Sequence, residues 1–384
     1  LDTTHVSGLN TTQIQSFSAS QLGSLTAADM TEFTETQLAS LTATQVRGLT
    51  ATAIRALADT QVASLTTAQV QALSTTSIAD FDTTQIQAMT TTQIRAFSTA
   101  QIQSLSASDV QEFTNDQIAA LTVGQLSAFN ATKYAALTDA QIASMTLTQV
   151  QSISASNLSA LDTTQIAALS TTHIGGLSNT QLSGLSATNL RALDQTQQAQ
   201  LSTTQIKALT TSQISALEAT DIAELTNAQL AALTTAQVSA LTSTNVASLA
   251  DTQIGAMTAT QIGRLTNAVV HSLAASQLGT LDATQVQAFT TSQIAALNAT
   301  DLDEFTTTQV GQFSTTQVRA LTNTTIGDLS SASFGAFAVS QLAQLTTTQI
   351  DHLTTTNLSA LNSTQLNSFT STQVASFDDA QLEA

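Results

Sequence analysis

The chain repeats one pattern of apolar and polar residues every eight residues. Written in eights from Leu1, its 384 residues divide into 48 octads without an insertion. The first octad position is Leu, Phe, Met or Ile in all 48 copies, and the sixth is aliphatic or aromatic in 47. A fixed sequence period of this kind is typical of solenoid proteins. We therefore predict a single continuous repeat array over residues 1–384.

This apolar period excludes one long helix and one long strand. Eight residues turn an α-helix by about 800°, so each octad would rotate the apolar stripe by about 80° and spread it around the helix. In a strand, positions 1 and 6 would point to opposite faces, because side chains alternate. The chain must therefore change direction within each octad.

The polar positions predict a short, capped helix in every copy. Position 2 is Ser, Thr, Asp or Asn in 43 octads, and position 5 is Gln in 32. In the octad Leu41–Gly48, Thr42 and Gln45 form a T-x-x-Q capping box, and Leu41 and Val46 take the places of a hydrophobic staple. The charges agree, since 17 of 26 acidic residues lie at positions 2 to 5 and 7 of 8 basic residues at positions 7 or 8. A helix dipole favours that distribution.

These signals favour an all-α solenoid of very short capped helices, one per octad. The alternative is a β-solenoid with flat ladders of Thr, as strings such as Thr90-Thr91-Thr92 would allow. Ala and Gln are poor strand formers, and 13 Gly are few for so many corners. We predict the helical solenoid.

A second period suggests how many octads form one coil. Phe occupies position 1 in twelve octads, and ten of these are odd-numbered. Four even-numbered octads carry Asp at position 5 and Glu at position 8. A coil of two octads is the simplest explanation, and a coil of three is the alternative. The four acidic pairs are Asp29/Glu32, Asp109/Glu112, Asp221/Glu224 and Asp301/Glu304.

The octads must be stabilised by stacking. Two buried apolar side chains contribute about 2 to 3 kcal/mol each, whereas ordering eight residues costs about 12 kcal/mol. We expect Leu233→Asp to disrupt the stack by several kcal/mol, since it buries a charge, as a rough magnitude. We expect Gln237→Ala to cost only about 1 kcal/mol, as the loss of a capping contact does.

Composition excludes several kinds of chemistry. The chain has no Cys, Pro or Trp, so disulfides and thiolate sites cannot form. With 8 Lys and Arg against 26 Asp and Glu, its net charge is -18, which is unfavourable for binding nucleic acid. No apolar run approaches the ~18 residues of a membrane span, so we predict no span.

Candidate catalytic or ligand-binding residues are few and dispersed. His5 and His173 replace Gln at position 5, and His271 and His352 lie elsewhere in the chain. The four acidic pairs are more typical of helix N-termini and soluble surfaces than of cation sites. No phosphate-binding loop, dinucleotide loop or nucleophile elbow occurs. We therefore predict no catalytic, cofactor-binding or metal-binding residue, no cofactor and no enzymatic activity.

One octad departs from the apolar pattern. It contains Gln198 at position 6, where all other copies have an aliphatic or aromatic residue. We interpret Gln198 as a local defect in the array, with a flexible joint as the sharper hypothesis.

Runs such as Leu201–Ala208, LSTTQIKA, resemble the L-T/S-x-x-Q-I/V-x-A arrays of giant secreted bacterial proteins labelled as haem-utilization or adhesion proteins. The resemblance covers the whole chain and concerns the repeat type. It implies secretion and a role at the cell surface or in the matrix. No axial-ligand pattern supports haem binding.

We therefore expect an extracellular structural protein that forms a rod, stalk or filament at a bacterial cell surface or in its matrix. The alternative is an adhesin or ice-binding module that uses a repeated Thr/Gln face. Leu1 and Leu382 have the character of interior residues, so we expect self-association, end to end or laterally. Cell-surface or matrix components are the other expected partners.

Overall fold

The computed structural model describes residues 3–383. Its contacts divide the chain into two compact units, Leu1–Gln200 and Leu201–Ala384. Each unit is an α-helical solenoid, and no strand occurs among the residues described. The predicted all-α solenoid with one short helix per octad is confirmed, and the β-solenoid is excluded. That both units form one continuous array stays a prediction.

The helices of the first unit are four to six residues long. They are α1 (Thr3–Ser7), α2 (Thr11–Gln15), α3 (Ala19–Gly23), α4 (Ala27–Thr31), α5 (Glu35–Ser40), α6 (Ala43–Gly48), α7 (Ala51–Arg55), α8 (Asp59–Ala63), α9 (Thr67–Ala72), α10 (Thr75–Ala79), α11 (Thr83–Ala88), α12 (Thr91–Ala96), α13 (Thr99–Ser104), α14 (Ala107–Gln111), α15 (Asn115–Ala120), α16 (Val123–Leu126), α17 (Ala131–Ala136), α18 (Asp139–Ser144), α19 (Leu147–Ser152), α20 (Ala155–Leu158), α21 (Thr163–Ala167), α22 (Thr171–Gly175), α23 (Asn179–Gly184), α24 (Ala187–Arg191) and α25 (Gln195–Gln198).

The second unit has helices of the same lengths. They are α26 (Thr203–Ala208), α27 (Thr211–Ala216), α28 (Ala219–Ala223), α29 (Asn227–Ala232), α30 (Thr235–Ser239), α31 (Ser243–Ala247), α32 (Asp251–Gly255), α33 (Ala259–Ile262), α34 (Asn267–Val270), α35 (Ala275–Gly279), α36 (Ala283–Ala288), α37 (Thr291–Ala296), α38 (Ala299–Asp303), α39 (Thr307–Val310), α40 (Thr315–Ala320), α41 (Asn323–Gly327), α42 (Ser331–Gly335), α43 (Val339–Leu342), α44 (Thr347–Ile350), α45 (Thr355–Ser359), α46 (Ser363–Leu366), α47 (Ser371–Val374) and α48 (Asp379–Leu382).

Most of the described helices begin with the predicted capping box. In α6 the Gln45 amide donates to the Thr42 hydroxyl oxygen at 3.2 Å, and the Thr42 amide donates to Gln45 Oε1 at 2.8 Å. The two bonds satisfy amide groups that have no partner inside the helix. Where Ala replaces the capping residue the second bond persists, since the Ala58 amide still donates to Gln61 Oε1 at 2.8 Å.

The helices end without glycine in a left-handed conformation. Leu49, at position 1 of the next octad, is extended, with φ -71° and ψ 144°, and its amide donates to the Val46 carbonyl at 3.1 Å. No residue in the described range has positive φ. Two extended residues therefore make each corner, which explains why the solenoid needs so few Gly residues.

Three octads make one coil. Within each unit a helix packs against the helix three places along the chain, as α3 does against α6 and α26 against α29, so a coil has 24 residues. The two-octad coil expected from the positions of Phe is wrong, and the three-octad alternative is correct. The Phe spacing does not report the coil, because Phe rings one octad apart and two octads apart both meet in the core. The rings of Phe289 and Phe305 lie 5.8 Å apart, edge to face.

The core of each unit contains positions 1, 5 and 6 of the octad. Leu41 and Val46 are 4% and 2% exposed, as the hydrophobic staple predicts. Gln45, between them in the capping box, is just as buried at 4%. A buried amide needs hydrogen-bond partners for its oxygen and its nitrogen, and the capping box accounts only for the oxygen.

Candidate functional site: an amide ladder between coils

The nitrogen of the position-5 Gln joins one coil to the preceding coil. Gln45 Nε2 donates to the carbonyls of Ile14 and Gln15, both at 3.2 Å, and of Phe17, at 2.8 Å. These acceptors lie 28 to 31 residues earlier, at the end of one helix and the corner after it. We call a position-5 side chain that bonds in this way a rung.

The same rung recurs through both units. Every Gln named here donates to the position-1 carbonyl 28 residues earlier, at 2.5 to 3.0 Å. They are Gln37, Gln45, Gln61, Gln69, Gln85, Gln93, Gln101, Gln117, Gln125, Gln141, Gln149, Gln165, Gln181 and Gln197 in the first unit, and Gln229, Gln237, Gln253, Gln261, Gln277, Gln285, Gln293, Gln309, Gln317, Gln341, Gln349, Gln365, Gln373 and Gln381 in the second.

Each rung therefore caps its own helix and bonds to the preceding coil, and only the capping role was predicted from the sequence. Gln237 Oε1 accepts from the Thr234 amide at 2.7 Å, and Gln237 Nε2 donates to the carbonyls of Ile206 and Leu209 at 2.8 and 2.7 Å. The expectation that Gln237→Ala costs only a capping contact is therefore wrong. Truncation would also remove this donor from two buried carbonyls. Ile206 O still accepts from the Leu209 amide at 3.2 Å, whereas leaving the Leu209 carbonyl without this donor costs about 1 to 3 kcal/mol.

Residues that replace Gln at position 5 form some of the hydrogen bonds of the rung. Asn245 caps its helix through Oδ1, and its shorter side chain donates to the Leu217 carbonyl at 3.0 Å. The hydroxyl of Thr325 donates to the Leu297 carbonyl at 3.0 Å. A buried donor at this place is common but not obligatory, since Ala53 and Val269 are buried at position 5 and their side chains have no donor.

His173 is a rung in which imidazole replaces the amide. It is 6% exposed, and its Nδ1 accepts from the Ser170 amide at 3.2 Å. Burial lowers the pKa of His173, and a hydrogen bond to the backbone of Met145 opposes that shift. Because Nδ1 accepts, the ring is neutral with its proton on Nε2. The sequence placed His173 at this position without showing its burial.

The other His residues lie apart from one another in the chain. His5 and His352 are exposed, and His352 Nδ1 lies 2.9 Å from the Thr348 carbonyl. His271 is part of a different contact, in which its Nδ1 lies 2.8 Å from Asp301 Oδ2. Within residues 3–383, no three His, Asp or Glu side chains converge as metal ligands would.

The acidic pairs are built from the same capping geometry. Asp301 Oδ2 accepts from the Asn298 amide at 2.8 Å, and Asp29 and Asp109 cap their helices in the same way. Burial, followed by the nearby Asp301 carboxylate, raises the pKa of Glu304. A carboxylate cannot donate to the preceding coil, so these octads keep the cap and lose the rung.

Gln198 is accommodated in the core of the first unit. Its side chain is 4% exposed, and Nε2 donates to the Leu193 carbonyl at 3.3 Å. The helix around it keeps the cap, with the Gln197 amide donating to Asp194 Oδ1 at 2.8 Å. The first unit ends at the last residue of this octad.

The exposed surface differs from the predicted Thr/Gln face. Position-5 Gln is buried in the ladder, and the position-2 hydroxyl accepts the capping bond, as in the octad containing Thr90 and Gln93. Thr91 and Thr92, at positions 3 and 4, and Arg95, at position 7, are exposed. Thr90, at position 2, is exposed as well, so a binding surface on this chain would consist of positions 2, 3, 4 and 7 without the position-5 Gln.

The geometry defines the class of protein as an α-helical repeat solenoid held together by buried amide rungs. A family model described as the ALTTAQ repeat matches residues 91–123 and 214–251, and the chain is similar to that repeat there. The hexapeptide itself occurs at residues 232–237, where it ends in the rung Gln237. No curated protein matches the chain. In the described range, no helix has both the length and the apolar character that crossing a membrane requires.

Proposed function

We propose that the chain is an extracellular structural repeat protein, serving as a rod, stalk or filament segment at a bacterial cell surface or in its matrix. The observation that supports this most is the amide ladder, because the same buried bonds join successive coils throughout each unit. A spacer needs coils that are joined in one repeated way along its length, and the rungs provide this in most octads. The resemblance to giant secreted arrays supports the location.

The ladder supports a mechanical role. Pulling successive coils apart would break buried hydrogen bonds such as those from Gln93 Nε2 to the carbonyls of Val62 and Leu65, at 2.9 and 2.8 Å. It would also expose position-6 side chains such as Ile94, which is 0% exposed. A non-catalytic role is part of this proposal.

Self-association, end to end or laterally, is the partner relation we propose. The face that one coil presents to the next is apolar and carries carbonyl acceptors. Inside the array this face is covered, as the 0% exposure of Ile94 at position 6 shows. A coil face of this kind favours another coil of the same type. Cell-surface or matrix components are the second class of partner we propose.

Electron microscopy of the purified chain, combined with immunogold labelling of the source cells, tests the proposal. Filaments or slender particles, and label outside the cell, are the expected results. Label confined to the cytoplasm would refute the location. Compact particles of no fixed length would refute the structural role.

The adhesin or ice-binding alternative is tested in the same preparation. It requires the exposed hydroxyls at positions 3 and 4 to bind a surface. Thermal hysteresis, or saturable binding to cell-wall glycan that is lost when a stretch of these Thr residues is changed to Glu, would favour the alternative. Their absence alongside filaments favours the structural role.

A further inference from the structure

One ladder position carries an ammonium group in place of an amide. Lys133 is 6% exposed, whereas the other seven Lys and Arg side chains lie on the surface. Lys133 Nζ donates to the carbonyls of Ile102 and Gln103 at 3.1 and 2.8 Å. The ammonium therefore occupies the place of a Gln Nε2 group and carries a full charge into the stack.

The preceding rung position carries the opposite charge. Asp109 lies at position 5 of the octad one coil earlier, and α14 packs against α17. Its Oδ2 accepts from the Ser106 amide at 2.7 Å. Lys133 Nζ bonds to carbonyls just before the corner at Leu105, and Asp109 Oδ2 bonds to the amide just after it, so ammonium and carboxylate lie at the same corner of the preceding coil without a direct ion pair. Burial lowers the pKa of Lys133, and the charge of Asp109 opposes that shift.

The octad of Lys133 is distinctive in a second way. Tyr134, the single Tyr of the chain, is 1% exposed and donates its hydroxyl to the Leu126 carbonyl at 3.1 Å. Its ring packs edge to face against Phe129, with 5.4 Å between centroids. This octad therefore differs from its neighbours in size as well as in charge.

The coils of a repeat array can stack in more than one register, and an octad with a unique charge can select one of them. Any Gln rung fits any set of carbonyls one coil earlier, so a coil of 24 residues can be looped out with little loss at each rung. If one coil is omitted, Lys133 faces Gln85 instead of Asp109. The ammonium is then buried without its carboxylate, which is costly, and buried polar groups are known to fix register in coiled coils.

We propose that Asp109 and Lys133 form a register pin, a pair of opposite charges at position 5 of successive coils that selects the native alignment of coils in the first unit. We expect the pair to favour the native register over a slipped one without raising the free energy of unfolding. Replacing both residues by Gln restores two consensus rungs, so the double variant should be as stable as the natural chain and less certain in its register.

Introduced cysteines report the register directly, because the chain has no Cys. The Ser144 hydroxyl donates to the Asn115 carbonyl at 3.1 Å, so Asn115→Cys with Ser144→Cys reports native stacking. Thr91 lies 24 residues before Asn115, so Thr91→Cys with Ser144→Cys reports a slip of one coil. Each pair is placed in the full chain, which is unfolded in urea, refolded by dilution, oxidised and mapped by mass spectrometry.

The natural chain should form the native disulfide and only traces of the slip disulfide. In the Asp109→Gln/Lys133→Gln background the slip disulfide should rise several-fold. An unchanged slip fraction would overturn the proposal. The exchanged pair, Asp109→Lys/Lys133→Asp, should restore the low fraction, and failure to do so in a folded variant would also count against the pin.

Asn157→Gln is the matched control. Asn157 is the next rung of the same column and donates to the Phe129 carbonyl at 3.3 Å. The change makes the ladder more uniform without altering a charge. The slip fraction should stay at the natural level. A rise equal to that of the double Gln variant would show that uniformity, rather than loss of the charged pair, sets the register.

Discussion

At the scale of the residue, the position-5 Gln uses both ends of its amide. Gln317 Oε1 accepts from the Ser314 amide within its own octad, whereas Nε2 donates to the carbonyls of Val286 and Phe289 one coil earlier. The first bond is local and follows from sequence spacing alone. The second depends on which octads stack, and no local pattern encodes that. The capping role was therefore predictable and the rung was not.

Gln237→Ala should lower the free energy of local unfolding by about 3 kcal/mol, because a capping contact and two buried bonds are lost together. Native-state hydrogen exchange at the amides of α30 measures this. The control is Gln71→Ala, at an exposed position 7, which should stay within about 0.5 kcal/mol. Equal effects of the two changes would show that the rung contributes little.

His173 should make its coil sensitive to acid. The pKa of His173 in the fold lies below its ordinary value of 6.5, because burial disfavours the charged ring. Between these two pKa values the unfolded chain binds more protons than the folded chain. The contribution of His173 to the free energy of unfolding is therefore fully present above the ordinary pKa of His and decreases as the pH falls below it. Protonation would also place a proton on Nδ1, where the Ser170 amide already donates.

Hydrogen exchange in α22 between pH 7.5 and pH 5 tests this sensitivity after correction for intrinsic rates. His173→Gln supplies an amide that can accept and donate without titrating, so it should abolish the acid-induced loss of protection. His352→Gln, in the other unit, is the control and should leave the response of α22 unchanged. Persistence of the response in His173→Gln would place its origin elsewhere.

At the scale of the element, helices of four to six residues are stable only as parts of a stack. Isolated helices this short do not form in water, so the caps select the conformation and packing stabilises it. Stacked helices approach closely at position 7. A Cβ on Gly263 would lie 2.7 Å from the Ala288 carbonyl oxygen, one coil further on. The close approach between coils therefore determines where Gly is required.

Two Gly→Ala substitutions should change the stability of the fold in opposite directions. Gly279 has no atom within 4 Å of an added Cβ, so Gly279→Ala should stabilise its helix by up to about 1 kcal/mol, as helix propensity predicts. Gly263→Ala meets the Ala288 carbonyl and should destabilise despite the same propensity gain. Thermal unfolding of the two variants beside the natural chain measures both. Stabilisation by Gly263→Ala would show that coils can separate at no cost.

At the scale of the whole molecule, the octad was readable from the sequence, whereas the coil was not. Unbroken spacing of residues such as Leu41 and Val46 fixes where each helix begins and ends. The number of octads per coil depends on packing between residues 24 apart. The odd-numbered positions of Phe do not report it, because Phe305 meets both Phe289, two octads away, and Phe313, one octad away. Asp109 and Lys133, spaced by one coil, were the available sign of the true period.

The three-octad coil leads to a prediction about length changes. Removing the complete octad Leu233–Ala240 lets each later helix stack three places back, on a partner of the same pattern, with its rung and cap intact. The array should shorten by one octad and keep its helicity per residue. Inserting one Ala between Ser239 and Ala240 instead displaces a rung from its carbonyls and turns apolar positions outward.

Circular dichroism at 222 nm and limited proteolysis separate these two outcomes. The deletion variant should match the natural chain in ellipticity per residue and in resistance to elastase. The insertion variant should lose helicity and become cleavable near residue 240, because local opening exposes the backbone there. If the insertion variant keeps the same helicity and elastase resistance as the deletion variant, the rungs do not hold the coils in register.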